Sequence, residues 1–114
     1  MKEVYILLRL GNKAQKCKVK SHIEYDPNMY SEYGKMIFHL VHVKKQWYII
    51  EEKTGSMASN YYSTKKACLD DIPEIFSHMH QRLKEDQYGI FAKNYKHFVE
   101  MLENAEEVAY DTLW

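Results

Sequence analysis

Residues 47–72 read WYIIEEKTGSMASNYYSTKKACLDDI, and the change of rhythm within them decides the fold class. Trp47 to Glu52 is an apolar run of strand length that ends in two carboxylates. Lys53-Thr54-Gly55-Ser56 supplies turn residues, and a short edge strand over 57–61 can follow. Ser63 then offers a hydroxyl to cap a helix starting at Thr64. Pro73 complicates that helix, because it lacks an amide and crowds the preceding turn. Asp71 could provide a fresh N-cap with Glu74 three residues on, so a break or kink near 70–73 is expected. Strand periodicity thus ends near residue 62 and helical periodicity begins.

Outward toward the start, the chain reads as strands. Val4, Ile6, Leu8 and Leu10 alternate with Tyr5, Leu7 and Arg9, which predicts a strand over roughly 3–10. Gly11-Asn12 tolerates positive φ and begins a turn. In the next strand Cys17, Val19, Ser21, Ile23 and Tyr25 share one face. Lys16, Lys18, Lys20, His22 and Glu24 share the other, so one face is buried and one is wet. Residues 26–34, DPNMYSEYG, read as a loop rich in tyrosine. Met36 to Val43 is mostly apolar and reads as a central strand, with Lys44-Lys45-Gln46 turning it into the strand at 47.

Toward the end, Ile72, Ile75, Phe76, Met79 and Leu83 fall at helical spacing, and Gly89 is expected to end that helix. Phe91, Tyr95, Phe98, Leu102, Ala105 and Ala109 then step by alternating fours and threes, widened by Val99 and Val108. That places them on one face of a last helix. The expected fold is α+β: an N-terminal antiparallel meander of four or five strands, covered on one face by two or three C-terminal helices. Residues 1–114 read as one domain, with a sheet half over 1–62 and a helical half over 63–114. Its expected core contains Val4, Ile6, Leu8, Val19, Ile23, Phe76, Met79, Leu83, Phe98 and Leu102.

Charge is distributed unevenly. The chain is formally neutral, but residues 1–68 carry a net of +6 and residues 69–114 a net of −6. The two halves either neutralise each other in the fold or present separate faces to partners. Hydrophobic residues at 46% and charged residues at 28% fit a globule rather than a disordered chain. No apolar run reaches the roughly 18 residues of a membrane span, and no signal-peptide pattern follows Met1, so a cytoplasmic protein is expected. Cys17 and Cys68 are too few for a disulfide framework and read as reduced, buried thiols.

The sequence excludes more chemistry than it offers. His22, His39, His42, His78, His80 and His97 show no metal-ligand pair, and HExxH and CxxC are absent. His39 and His42 point to opposite faces of a strand, although His22 could meet either one across strands. The scattered glycines form no phosphate-binding loop. Cys68, beside Lys65 and Lys66 near a helix start, is the one candidate nucleophile. No catalytic residue, cofactor or metal is therefore assigned.

Two charged sets remain. Tyr5, Arg9, Lys16, Lys18, Lys20 and His22 form a basic stripe with an aromatic, the chemistry by which open sheets hold single-stranded nucleic acid. Glu100, Glu103, Glu106 and Glu107 form an acidic face on the last helix. The expected function is a small, non-enzymatic protein-binding or regulatory module acting through the acidic face, with nucleic acid binding through the basic stripe as the alternative. Residues 47–72 also resemble small proteins of low-GC bacteria and their phages. An inhibitor of a host nuclease or defence complex is one form such a module could take, and a second copy of the chain is a further candidate partner.

Overall fold

The computed structural model describes residues 2–10 and 13–112. β1 (Glu3–Leu10) and β2 (Lys13–Lys20) pair antiparallel, with Val4 opposite Val19 and Ile6 opposite Cys17. The turn expected at Gly11-Asn12 lies outside the described residues. Alternation buries Val4, Ile6, Leu8, Cys17 and Val19 on one side of this hairpin, as their spacing requires.

The strands do not continue as one meander. At Ser21–His22 the chain leaves the hairpin: the Ser21 N–H donates to the Lys2 carbonyl, and the His22 N–H donates to the Leu40 carbonyl. The latter contact starts a second sheet of β3 (Ile23–Tyr25), β6 (Phe38–Val43) and β7 (Gln46–Glu51), in the order β3-β6-β7. Between them β4 (Tyr30–Ser31) and β5 (Gly34–Lys35) make a small ladder within the segment expected to be loop. The expected edge strand at 57–61 reduces to isolated bridges, Ile50 with Met57 and Trp47 with Tyr62.

The split has a simple cause. β6 and β7 are apolar on both faces, so a single covering layer would leave one face wet. The hairpin folds onto one face, against Val41, Val43, Tyr48 and Ile50. The helices cover the other, against Phe38, Leu40 and Ile49. The hairpin thus packs on one side of the central sheet and the helices on the other, with α2 also touching β2. Phe38, Leu40, Val41, Ile49 and Ile50 are completely buried, and they carry more of the core than the sequence suggested. Of the expected core, Val4, Ile6, Leu8, Val19, Met79 and Leu102 are buried, whereas Ile23, Phe76, Leu83 and Phe98 are half-buried. Gly55 locks the turn after β7 against β1. It sits at φ +66°, its carbonyl accepts from the Leu7 N–H, and a Cβ there would come within 2.9 Å of that nitrogen.

α1 (Lys65–Lys84) is one helix rather than two. Thr64, not Ser63, is the N-cap, accepting from the Ala67 N–H at 3.1 Å. Asp71 opens no new helix, and no break occurs at 70–73. Pro73 lies on the exposed side of α1, where water can satisfy the carbonyl its missing amide releases. Gly89 does not close α1, which stops at Lys84. It stands in the left-handed region and opens α2 (Ile90–Asn104). Since Gly89 has no capping side chain, Asp86 takes the orphan amides of Phe91 and Ala92 at 2.9 and 3.1 Å.

The last helix ends earlier than its stripe implied. Ala105 turns extended, and Glu106–Glu107 form β8, which pairs parallel to β2 beside Gln15 and Lys16. The Val108 N–H donates to the Lys16 carbonyl at 2.9 Å, and Val108 packs on the hairpin core. Val108 and Ala109 belong to this strand exit, and a 3-10 turn follows at Tyr110–Thr112. The ladder to β2 supplies hydrogen bonds that two more residues of helix would have supplied internally. No described helix is long and apolar enough to cross a membrane.

Candidate functional site

The basic stripe meets one member of the acidic set, Glu107, on the outer surface of the hairpin. Because inward residues alternate with outward ones, Tyr5, Lys16, Lys18 and Lys20 all point away from the core. The ammonium groups of Lys16 and Lys18 lie 4.9 and 5.7 Å from the centre of the Tyr5 ring. β8 then brings Glu107 to this surface. The Tyr5 hydroxyl donates to Glu107 Oε1 at 2.6 Å, and this contact raises the tyrosine above its ordinary range. Tyr5 thereby joins a basic strand to an acidic one.

Two of the expected groupings are corrected. Glu106 and Glu107 stand on β8, not on the helix face with Glu100 and Glu103, because the helix has already ended. His22 is not part of the lysine stripe, because the chain crosses between sheets at that point. The side chain of Arg9 lies outside the described residues. His22 instead sits edge-on to Trp47 at 5.0 Å, while His42 stacks flat on the same ring at 4.0 Å. The Lys65 ammonium lies 5.8 Å from that ring's centre. Partial burial lowers the His22 pKa, assisted by the positive charges of Lys65, His42 and Lys20.

His39 takes a different role. It is wholly buried, and its Nδ1 meets Ser21 Oγ at 2.7 Å while its Nε2 meets Glu52 Oε1 at 3.1 Å. A proton on Nε2 lets the ring donate to the carboxylate and accept from the serine. Lys2 also donates to Glu52 at 2.6 Å and approaches Glu24 at 3.4 Å. Burial pushes the Glu52 carboxyl up, but the bonds from Lys2 and His39 outweigh it and hold the pKa below its ordinary value. The ligand atoms of Glu24, His39 and Glu52 lie within 4.8 Å of one another, a spacing that could hold a metal ion. The Lys2 ammonium already occupies the position of a cation there, so the cluster is compensated from within. The Ser–His–Glu order is that of a hydrolase triad, yet Ser21 is only 8% exposed and neither cleft described below includes it. Cys68 is wholly buried, and its thiol is pushed up to about 11, chiefly by burial, which opposes a nucleophilic role.

A second kind of site lies on the helix side. A cleft of about 190 Å³ opens between α1, α2 and the 54–58 segment. Glu51, 4% exposed, is one of its lining residues; its Oε1 accepts from the Tyr95 hydroxyl at 2.5 Å and its Oε2 accepts from the Lys53 N–H at 2.7 Å. Burial raises the carboxyl above its ordinary range despite these bonds, and burial with the Glu51 contact raises Tyr95 as well. A neighbouring cleft of about 220 Å³ lies against Phe91 and Tyr95 on the side of Tyr30 and Glu32. The sequence stripe gave Tyr95 only a place in the core. Period-two alternation from Trp47 through Ile49 would have put Glu51 on the same helix-facing side, which was the available signal.

No protein-family model matches the chain, and no curated protein or solved structure shows significant similarity to it.

Proposed function

We propose that this protein is a non-catalytic binding module whose outer hairpin face engages another protein. The observation that carries this reading is the seating of β8 beside β2, with the Tyr5–Glu107 bond linking the Lys16–Lys18–Lys20 row to a carboxylate. A face that presents ordered charges of both signs around a tyrosine suits a protein surface, where complementary charges fix register and tyrosine gives contact area at low entropy cost. The same mixture weighs against nucleic acid, because Glu107 would repel phosphates drawn by the lysines. It equally weighs against a simple mimic of nucleic acid, which would present acids alone. The role as a regulator or inhibitor belongs to this reading as one outcome of binding.

Labelled single-stranded oligonucleotide, titrated over a salt series, separates the two partner classes. A protein-binding module should show weak association at every salt concentration. Saturable binding, with log affinity falling steeply as log salt rises, would replace the protein partner with nucleic acid. In parallel, the immobilised chain should retain a discrete protein from host extract, and a Tyr5→Ala chain should retain less of it.

A further inference from the structure

We propose that the cleft over Glu51 binds a small primary amine carried on an apolar ring, a site that lies apart from the charged hairpin face. Glu51 is a buried carboxylate with no cation of its own. Lys53, the neighbour that could supply one, turns its ammonium to the Lys35 carbonyl at 2.7 Å. Among the described residues no ammonium or guanidinium lies within ion-pair distance of Glu51. Buried charges in proteins are compensated by a partner charge or a bound cation. This one is met by a phenol, by the backbone amides of Lys53 and Thr54 and by the more distant charge of Lys53, and it lines the cleft.

The walls set the rest of the ligand. Met36, Met79, Phe91 and Phe98 line the cleft, so the body that enters must be apolar. The volume is that of one ring: engineered cavities of about 150 Å³ accept benzene. A carboxylate has about four lone-pair directions, and the donors of Tyr95, Lys53 and Thr54 leave room for one more. An ammonium group reaching Glu51 can take that place in a charge-assisted bond. Arg82 stands exposed near the mouth, its guanidinium 5.3 Å from the Phe91 ring centre. It disfavours a second positive charge there, so the single cationic group belongs at the deep end.

The probe is benzylamine, with benzyl alcohol and phenylacetate as matched controls, titrated into the full chain and followed by the methionine methyl and Glu51 carboxyl resonances. Benzylamine should shift the Met36 and Met79 methyls saturably at roughly millimolar concentration, and should move the Glu51 carboxyl signal. It should bind about tenfold more tightly than benzyl alcohol, the worth of a charge-assisted bond over a neutral one. Phenylacetate should not bind. Glu51→Gln should abolish the preference for the amine over the alcohol. Ala58→Phe, which fills the cleft from its wall, should lose binding altogether, and its melt checks that the chain still folds. Equal binding of all three compounds would overturn the site. So would no saturable shift up to about 20 mM, a concentration well above the expected dissociation constant. Binding that persists in Ala58→Phe would overturn it as well, and that result stands even if Glu51→Gln fails to fold.

Discussion

Glu51 and Glu52 are consecutive in the chain and opposite in circumstance. Strand alternation sends Glu52 to the hairpin side of the central sheet, where Lys2 and His39 hold it as an anion. It sends Glu51 to the helix side, where a tyrosine and backbone amides hold it and no cation is bonded to its carboxylate among the described residues. The two layers differ in the same way. The hairpin layer is closed, with an aliphatic core beneath and ordered charge outside. The helix layer is open at one end, and its opening leads to an acid. The central sheet thus carries the charged hairpin, the proposed recognition surface, over one face and a cleft over the other.

The largest expected effect lies in the sheet common to both layers. Phe38 is wholly buried and packs on Phe76 with ring centres 5.1 Å apart. Phe38→Ala should cost ~3–5 kcal/mol in denaturant melts, and Ile6→Ala on the hairpin side ~2–5 kcal/mol. Phe98→Ala, at the half-buried rim of the cleft, should cost less, roughly 1–2 kcal/mol. A Phe98 loss as large as that of Phe38 would mean the helix layer is as closed as the hairpin layer.

The paired carboxylates come next. Glu52→Gln breaks a bonded anion and should destabilise by about 1–3 kcal/mol, whereas Glu51→Gln removes an uncompensated buried charge and should be neutral or stabilising within about 1 kcal/mol. Equal losses in the two variants would erase the contrast between the layers. The pH dependence sharpens it. The folded pKa of Glu51 is raised, so its contribution is present below the ordinary carboxyl value and is lost as pH rises through the folded pKa. The folded pKa of Glu52 is lowered, so its contribution is present above the ordinary value and is lost as pH falls through the folded pKa. Relative to the parent, Glu51→Gln should therefore gain stability as pH rises above the ordinary carboxyl value, and Glu52→Gln should lose it as pH rises toward that value from below. Melts of the three proteins at several pH values read this directly.

The fold was legible where periodicity was unambiguous: the strands at 3–10 and 38–51 and the stripe from Phe91 to Leu102. It was less so where one period ran into another. Ile23 and Tyr25 continue the alternation of Cys17 and Val19, yet the chain changes sheet between them, and alternation cannot report such a crossing. Val108 and Ala109 continue the helical stripe, yet backbone bonds to β2 won over one more turn. Pro73 signals a break that an exposed position made unnecessary. The charged residues of the candidate surface were read correctly as outward for Lys16, Lys18 and Lys20. Their meeting with Glu107 was hidden because it depends on a parallel pairing between residues some ninety positions apart in sequence. Glu51 was passed over because a carboxylate at a strand end normally points to water.

The smallest effect on stability should carry the largest effect on binding. Lys16→Glu with Lys18→Glu inverts the basic row of the hairpin face, and Glu100→Lys and Glu103→Lys on α2 with Glu106→Lys on β8 inverts the remaining expected acids while sparing the Glu107 bond to Tyr5. Exposed charges contribute only ~0–1 kcal/mol each, so both variants should melt close to the parent. Measured together with the melts, partner capture should fall at least about tenfold in one or both, since charge complementarity governs encounter and specificity. If both variants melt early and lose capture together, the charges serve the fold. If both melt normally and capture is unchanged, the hairpin face is not the recognition surface.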